Sequence, residues 1–128
     1  MDYKVFFDTN ILLEIIFLRK KYKECRDLLE KNSDNVYISI LSIHICNYFV
    51  KKHNLDVNYY KKFFDYFEII DFNSDIFDKA YFNYSKDFED SIQIASALSV
   101  QCNQFITLDK KYYKKAKNLG NIFLLNGD

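Results

Sequence analysis

The chain has 128 residues, and its 18 lysines and arginines balance 18 aspartates and glutamates to a formal net charge of zero. The length predicts a single domain over residues 1–128, and a hydrophobic content of 49% is enough for a core without disulfide or metal staples. The balanced charge excludes a protein that binds polyanions by bulk positive charge.

The cysteines and the N-terminal segment indicate a cytoplasmic protein. Cys25, Cys46 and Cys102 are an odd number with no paired spacing, and their apolar neighbours favour buried, reduced thiols. The first residues lack the pattern of a signal peptide, because Asp8 and Glu14 interrupt the apolar stretch. No window reaches the roughly 18 uncharged residues of a membrane span, so no membrane partner is expected.

Short continuous apolar runs alternate with segments of helical periodicity along the whole chain. The predicted strands are 5–7, 36–39, 67–70, 104–107 and 122–125. The predicted helices are 11–18, capped by Asn10, then 19–31, 42–53, 57–66, 74–84 and 87–102, with a basic helix over 110–117. Strands that alternate with helices predict right-handed crossovers and a parallel sheet buried on both faces. The expected fold is therefore an α/β fold, a three-layer α/β/α domain whose central parallel sheet has about five strands.

Three aspartates fall where open α/β sheets bind ligands, outside the carboxyl ends of the strands. Asp8 ends the first predicted strand, Asp109 follows the fourth, and Asp90 lies in the first turn of the helix between them. Carboxylates brought together repel one another unless a cation intervenes. Oxygen ligands without histidine or cysteine favour Mg²⁺ or Mn²⁺. This pattern predicts metal-assisted hydrolysis of a phosphodiester.

Each acid also has an ordinary structural explanation, which the sequence leaves open. The helix dipole favours acids in a first turn, which covers Asp87, Glu89 and Asp90. Asp109 is a suitable N-cap by itself, and the first strand can simply end at Asp8. What favours a metal site is the combination, since a parallel sheet brings these ends together.

Three segments, taken in order, resemble the PIN-domain ribonucleases. They are residues 5–13 around Asp8, 87–98 around Asp90 and 105–111 around Asp109. The resemblance covers nearly the whole chain and is closest to the VapC-like toxins of bacterial type II toxin–antitoxin systems. It implies an endoribonuclease that depends on Mg²⁺ or Mn²⁺, acts on RNA, often forms a homodimer and is held inactive by an antitoxin protein.

The predicted roles of the site residues follow from their positions. The predicted metal ligands and catalytic residues are Asp8, Asp90 and Asp109. The supporting residues, which could add negative charge or orient a carboxylate or a water, are Asn10, Asp87, Glu89 and Thr107. Lys110 and Lys111 follow Asp109 directly and are predicted to bind RNA phosphates, whereas the later lysines of 110–117 are expected on a solvated face.

One position departs from the pattern of the resembled family. That family commonly carries a further acid in the helix after the second strand, and Ile45 occupies this place here. Isoleucine neither binds a metal nor orients a water, and the nearby polar alternatives are His44 and Asn47. Two functions therefore stay open: an active endoribonuclease, or a catalytically degenerate PIN domain that acts as a binding or assembly module.

A phosphoacceptor domain of the receiver type is a third interpretation of the same α/β pattern. Asp71 follows the third predicted strand, where such a domain would place its acceptor. The end of the first strand lacks the second acid that this chemistry needs, since Asp8 is followed by Thr9 and Asn10. We therefore rank this interpretation below the two PIN-domain functions.

Overall fold

The computed structural model describes residues 3–81 and 87–109 and the backbone of 122–124. The strands are β1 (Val5–Phe7), β2 (Val36–Ser39), β3 (Glu68–Ile70), β4 (Gln104–Thr107) and β5 (Ile122–Leu124). The helices are α1 (Thr9–Ile16), α2 (Tyr22–Lys31), α3 (Ile40–Lys52), α4 (Val57–Phe64), α5 (Ser74–Ala80) and α6 (Phe88–Ser99). Within the described part of the chain, no helix is long and apolar enough to cross a bilayer.

The five strands form one sheet in the order β3-β2-β1-β4-β5, and every neighbouring pair is parallel. The chain starts in the middle with β1 and moves outward through β2 to β3. It then crosses back and adds β4 and β5 on the other side of β1. The predicted α/β fold with a central parallel sheet is therefore confirmed.

The central strands β1, β2 and β4 are buried on both faces, as their continuous apolar runs predict, whereas the edge strand β3 exposes Glu68 and Ile69. Val5 and Phe7 of β1 join a core with residues of α1, α2, α3 and α4. Phe6, between them, points to the opposite core with residues of α5 and α6, where its ring stacks on Phe105 at 4.9 Å. Successive side chains of a strand point to opposite faces, so the two cores define the three predicted layers.

The start of α1 differs from the expected one. Asp8 caps this helix, because its carboxylate accepts a hydrogen bond from the Thr9 N–H. The predicted cap, Asn10, lies inside α1 and is exposed. The helix therefore begins two residues earlier than predicted, and the residue that ends β1 also starts α1. Such a tight connection holds the Asp8 side chain in one place at the end of the strand.

The start of α2 also differs, since residues 19–21 belong to the predicted helix 19–31 but lie before the observed helix, which begins at Tyr22. Glu14 is buried in α1, and its carboxylate accepts a hydrogen bond from the N–H of Lys21 at 2.8 Å. This bond satisfies a backbone donor just before Tyr22, so the helix begins there. All three cysteines are free thiols; Cys25 and Cys46 are buried as expected, whereas Cys102 is only half-buried.

Candidate metal centre at the carboxyl ends of the strands

The centre of the sheet contains the point where the strand order reverses. From β1 the chain proceeds to β2 on one side, whereas β4 lies on the other side of β1. Crossover connections therefore leave the carboxyl ends of β1 and β4 in opposite directions and open a crevice between them. Asp8 directly follows β1, and Asp109 lies two residues beyond β4. The sheet thus places two of the predicted metal ligands at its topological switch point.

Hydrogen bonds fix both oxygens of the Asp8 carboxylate, which is only 5% exposed. Oδ1 accepts the N–H of Thr9 at 2.8 Å, and Oδ2 accepts the hydroxyl of Thr107 at 2.8 Å. The same Thr107 oxygen accepts the backbone N–H of Asp109 at 3.1 Å. Thr107 therefore connects the two strand ends and holds the Asp8 carboxylate in one orientation.

The surroundings of Asp8 disfavour its negative charge. Burial raises the pKa of Asp8 from 3.8 to about 6, against the opposing hydrogen bonds from Thr107 and Thr9. The negative charges of Asp109 and Glu89 contribute a smaller part of this rise. A carboxylate in this state gains free energy from a cation close to it.

Asp90 enters the same crevice from α6. Asp87 caps this helix, since its carboxylate accepts the N–H of Glu89 at 2.9 Å and that of Asp90 at 3.4 Å. Burial, followed by the charges of Asp8, Asp87, Asp109 and Glu89, raises the pKa of Asp90 to about 7. The pKa of Glu89 is also raised, by partial desolvation of its carboxylate and by the negative charge of Asp87. The acids at the two strand ends and at the start of α6 therefore form one electrostatic cluster.

The donor set of this acidic cluster fits a hard divalent cation. The described residues contain no group of three histidine, cysteine, aspartate or glutamate side chains close enough to form a complete protein cage. Mg²⁺ does not need such a cage, because it keeps several waters and takes one or two carboxylates together with substrate phosphate. Burial and the neighbouring negative charges raise the pKa values of Asp8 and Asp90, and a divalent cation would relieve the repulsion among these charges.

Three further residues of the predicted site are Asn10, Lys110 and Lys111. Asn10 is exposed on α1, where it does not serve as the cap. Lys110 and Lys111, the predicted RNA-binding pair, lie outside the described residues, as does the predicted basic helix over 110–117.

Ile45, which occupies the place where the PIN-domain ribonucleases commonly have a further acid, lies on α3. Ile45 is half-buried there, three residues after the buried Ser42. Neither polar alternative replaces the acid, since His44 is exposed and Asn47 lines a groove with Val57 and Asn58 of α4. The acidic cluster is therefore built without a side chain of α3.

The strand order argues against a phosphoacceptor domain. In the doubly wound receiver order, the third strand lies beside the first. Here β2 separates β3 from β1, so Asp71 lies at the outer side of the sheet and is exposed. Asp71 and Asp8 consequently do not belong to one site.

A buried polar cluster lies beside the acids and was not predicted from the sequence. It consists of Gln93 on α6, Thr9 on α1, and Ser39 and Ser42 at the start of α3, none of them more than 7% exposed. We call it the Gln93 cluster. Its sequence signals are a glutamine three residues after Asp90 and two serines in capping spacing, each of which is equally typical of an exposed surface.

Comparison with known families and structures agrees with the geometry. The family model described as PIN domain matches residues 5–118. A chain of a toxin–antitoxin complex from Klebsiella pneumoniae superposes with a TM-score of 0.80 and 22% identity, over 95% of this chain and 98% of that chain. A chain of VapBC2 from Rickettsia felis, solved with a DNA fragment from its promoter, gives a TM-score of 0.65 and 21% identity, over 94% and 97%.

A chain of FitAcB from Neisseria gonorrhoeae gives a TM-score of 0.61 and 15% identity, over 94% of this chain and 97% of that chain. A search of the curated proteins finds no significant match. At these identities the structural matches establish a shared fold, whereas the family model covers most of the sequence itself. The chain therefore belongs to the PIN-domain family.

Proposed function

We propose that this PIN domain is a metal-dependent endoribonuclease that hydrolyses phosphodiester bonds of RNA. The observation that carries the proposal is the position of Asp8 and Asp109 just after the neighbouring strands β1 and β4, with Asp90 close enough for both of their charges to raise its pKa. Asp8, Asp90 and Asp109 would hold Mg²⁺ or Mn²⁺. The bound ion would polarise the scissile phosphate and lower the pKa of an attacking water.

The residues of the chain supply a fixed, negatively charged cradle. Thr107 and the Thr9 N–H hold both Asp8 oxygens, so this carboxylate presents its remaining lone pairs in a constant direction. Asp90 and Asp109 add charge from two other backbone segments, so the site draws on three separate parts of the sequence. No histidine is needed as a general base, and the helix N-termini of α1 and α6 favour the phosphate anion nearby.

Cleavage of RNA by the purified protein tests this proposal. We expect cleavage with Mn²⁺ or Mg²⁺ and none after chelation. Asp90→Asn should lower the rate at least about 100-fold, since it removes a proposed ligand. Asp75→Asn is the matched control, because Asp75 is an exposed acid in the first turn of α5, where it pairs with Lys79. Cleavage that survives both chelation and Asp90→Asn would contradict the proposal.

Lys110 and Lys111 are proposed to bind RNA because they directly follow Asp109 in the sequence. A Lys110→Ala/Lys111→Ala variant should raise the KM for RNA about tenfold and make it less dependent on salt. Lys51→Ala/Lys52→Ala is the matched control, since these two lysines are exposed in the last turn of α3. An equal rise of KM in both variants would indicate bulk charge instead of a local contact.

The toxin of a toxin–antitoxin pair is the proposed biological role. Its support is the shared fold with chains of toxin–antitoxin complexes over 94–95% of this chain. Induced expression in a bacterial host should stop growth, and Asp90→Asn should abolish the arrest. Coexpression of a short reading frame next to the gene should restore growth if that frame encodes the antitoxin. Growth arrest by both the wild type and Asp90→Asn would contradict a toxic nuclease.

A degenerate PIN domain that binds or assembles without cleaving is the second candidate function. Ile45 favours it, because α3 contributes no acid to the cluster. This alternative predicts RNA or protein binding that is unchanged by chelation and by Asp90→Asn. A homodimer is proposed for either function, and sedimentation at micromolar concentration would distinguish it from a monomer.

A further inference from the structure

The Gln93 cluster connects three helices at the edge of the sheet that carries the acids. The Gln93 amide nitrogen donates to Thr9 Oγ1 and to Ser42 Oγ, both at 2.8 Å. Its amide oxygen accepts the Ser39 hydroxyl at 2.7 Å. The side chain is 1% exposed, so all three bonds lie in the interior, where they are strong. Gln93 thus ties α6 to the starts of α1 and α3.

The orientation of the Gln93 amide follows from its neighbours. Thr9 Oγ1 and Ser42 Oγ lie 2.8 Å apart, so one of these hydroxyls donates to the other. If the amide were reversed, both hydroxyls would have to donate to its oxygen, and no proton would be left for the contact between them. Only the orientation with the nitrogen toward Thr9 and Ser42 satisfies the whole cluster.

The Gln93 cluster connects the helix that carries Asp90 to the residue that binds the Asp8 carboxylate. On α6, Gln93 lies three residues after Asp90, and residues at this spacing are neighbours on a helix surface. On α1, Gln93 binds the side chain of Thr9, whose backbone N–H donates to the Asp8 carboxylate at 2.8 Å. One side chain therefore restrains the helix that carries Asp90 relative to the residue that orients Asp8.

We propose that Gln93 is a positioning residue that sets the spacing between the Asp8 and Asp90 carboxylates through its hydrogen bond to Thr9. This inference rests on the proposed metal-dependent function and deepens it. A site with no acid at Ile45 relies on fewer carboxylates, so their spacing has a larger influence on metal affinity. Because its side chain is buried and bonded to Thr9, Gln93 is proposed to act through Thr9 and not as a ligand of the metal or the RNA.

Binding of Mn²⁺ in the absence of RNA, measured from the spectrum of the free ion by electron paramagnetic resonance, tests this role. Gln93→Met keeps the length of the side chain but removes the amide, and it should raise the Mn²⁺ dissociation constant about 10- to 100-fold. Ser96→Ala is the matched control on α6, because Ser96 is buried and its hydroxyl donates to the Ile92 carbonyl of the same helix. It should leave the dissociation constant within about twofold of the wild type.

A double-mutant cycle tests the route through Thr9. Thr9→Val removes the other end of the same hydrogen bond and provides the test independently if Gln93→Met does not fold. The double variant should bind Mn²⁺ no more weakly than the single variant that has the lower affinity. All three variants lose the same hydrogen bond between Gln93 and Thr9, so its loss should count only once. RNA cleavage should show a lower kcat with the KM for RNA unchanged.

The outcomes separate the two proposals. Wild-type protein that binds no Mn²⁺ overturns the metal-dependent function and this inference with it. Wild-type protein that binds Mn²⁺ and cleaves RNA, while Gln93→Met binds Mn²⁺ as tightly as Ser96→Ala, overturns only the positioning role. Multiplicative effects in the double variant also overturn it, since they would mean that Gln93 and Thr9 act independently.

Discussion

Asp8 and Asp56 cap two helices in nearly the same way. Asp8 Oδ1 accepts the N–H of Thr9 at 2.8 Å, and Asp56 Oδ1 accepts the N–H of Asn58 at 2.9 Å. Asp56 is exposed at the start of α4, whereas Asp8 is buried and lies among other carboxylates. The same local motif therefore has two different chemical settings, and the order of the strands decides which setting each cap receives.

RNA cleavage provides the largest expected difference between the two caps. Asn caps helices about as well as Asp, so Asp8→Asn and Asp56→Asn each change a charge without removing the cap. Asp8→Asn should lower the Mn²⁺-stimulated cleavage rate at least about 100-fold, because a proposed ligand loses its charge. Asp56→Asn should leave the rate unchanged. Equal rates in the two variants, measured on one labelled RNA, would contradict a special role of Asp8.

The stability of the metal-free protein should distinguish the same two variants in a pH-dependent way. The pKa of Asp8 is about 6 in the folded protein, above the ordinary value of 3.8 that applies when it is unfolded. Between these values the folded state holds more protons, so wild-type stability falls as the pH rises. The loss begins near pH 4 and is complete above pH 6, where it amounts to about 3 kcal/mol.

Asp8→Asn removes this charge, so its unfolding free energy should exceed that of the wild type by about 3 kcal/mol above pH 6 and match it below pH 4. Asp56→Asn should differ from the wild type by less than about 0.5 kcal/mol at every pH. Urea denaturation in a chelator at several pH values between 4 and 8 measures both differences. If Asp8→Asn raised the unfolding free energy by the same amount at every pH, the charge of Asp8 would not be the cause of the gain.

A third difference between the two caps is that the second carboxylate oxygen of Asp8, Oδ2, accepts a hydrogen bond from the Thr107 hydroxyl. Thr107→Val removes the donor to Asp8 Oδ2 and the acceptor of the Asp109 N–H, so it should weaken Mn²⁺ binding about tenfold. Thr107→Ser keeps the hydroxyl and should bind within about twofold of the wild type. If both variants bind Mn²⁺ equally well, the hydroxyl does not support the site.

The fold was largely predictable because its signals are local. Apolar runs such as Val5–Phe7 identify the strands, and their alternation with helices implies the parallel sheet. The boundaries were less predictable, since α1 begins at a cap that is also the end of β1. The start of α2 depends on Glu14, whose carboxylate binds the backbone of Lys21 from another helix. A contact between elements of this kind leaves no periodic pattern in the sequence.

The candidate site was predictable only in part, for the same reason. Asp8 and Asp109 follow strands, so the general rule for open sheets singles them out. Gln93 follows no such rule, because a glutamine on a helix is usually exposed. It is buried here because α6 packs against one face of the sheet, where Gln93 reaches Thr9 and Ser42. Topology, which the sequence implies but does not show residue by residue, creates this cluster.

The smallest expected effect concerns the acid that α3 lacks. Ile45 lies three residues after Ser42 of the Gln93 cluster, so a carboxylate introduced there adds negative charge on the side of the helix nearest the site. Ile45→Glu should bind Mn²⁺ about fivefold more tightly, as expected for one further partly screened charge worth about 1 kcal/mol. His44→Glu is the matched control, because His44 is exposed on the neighbouring position of α3. Equal tightening by both variants would mean that net charge, and not the position of the acid, limits metal binding.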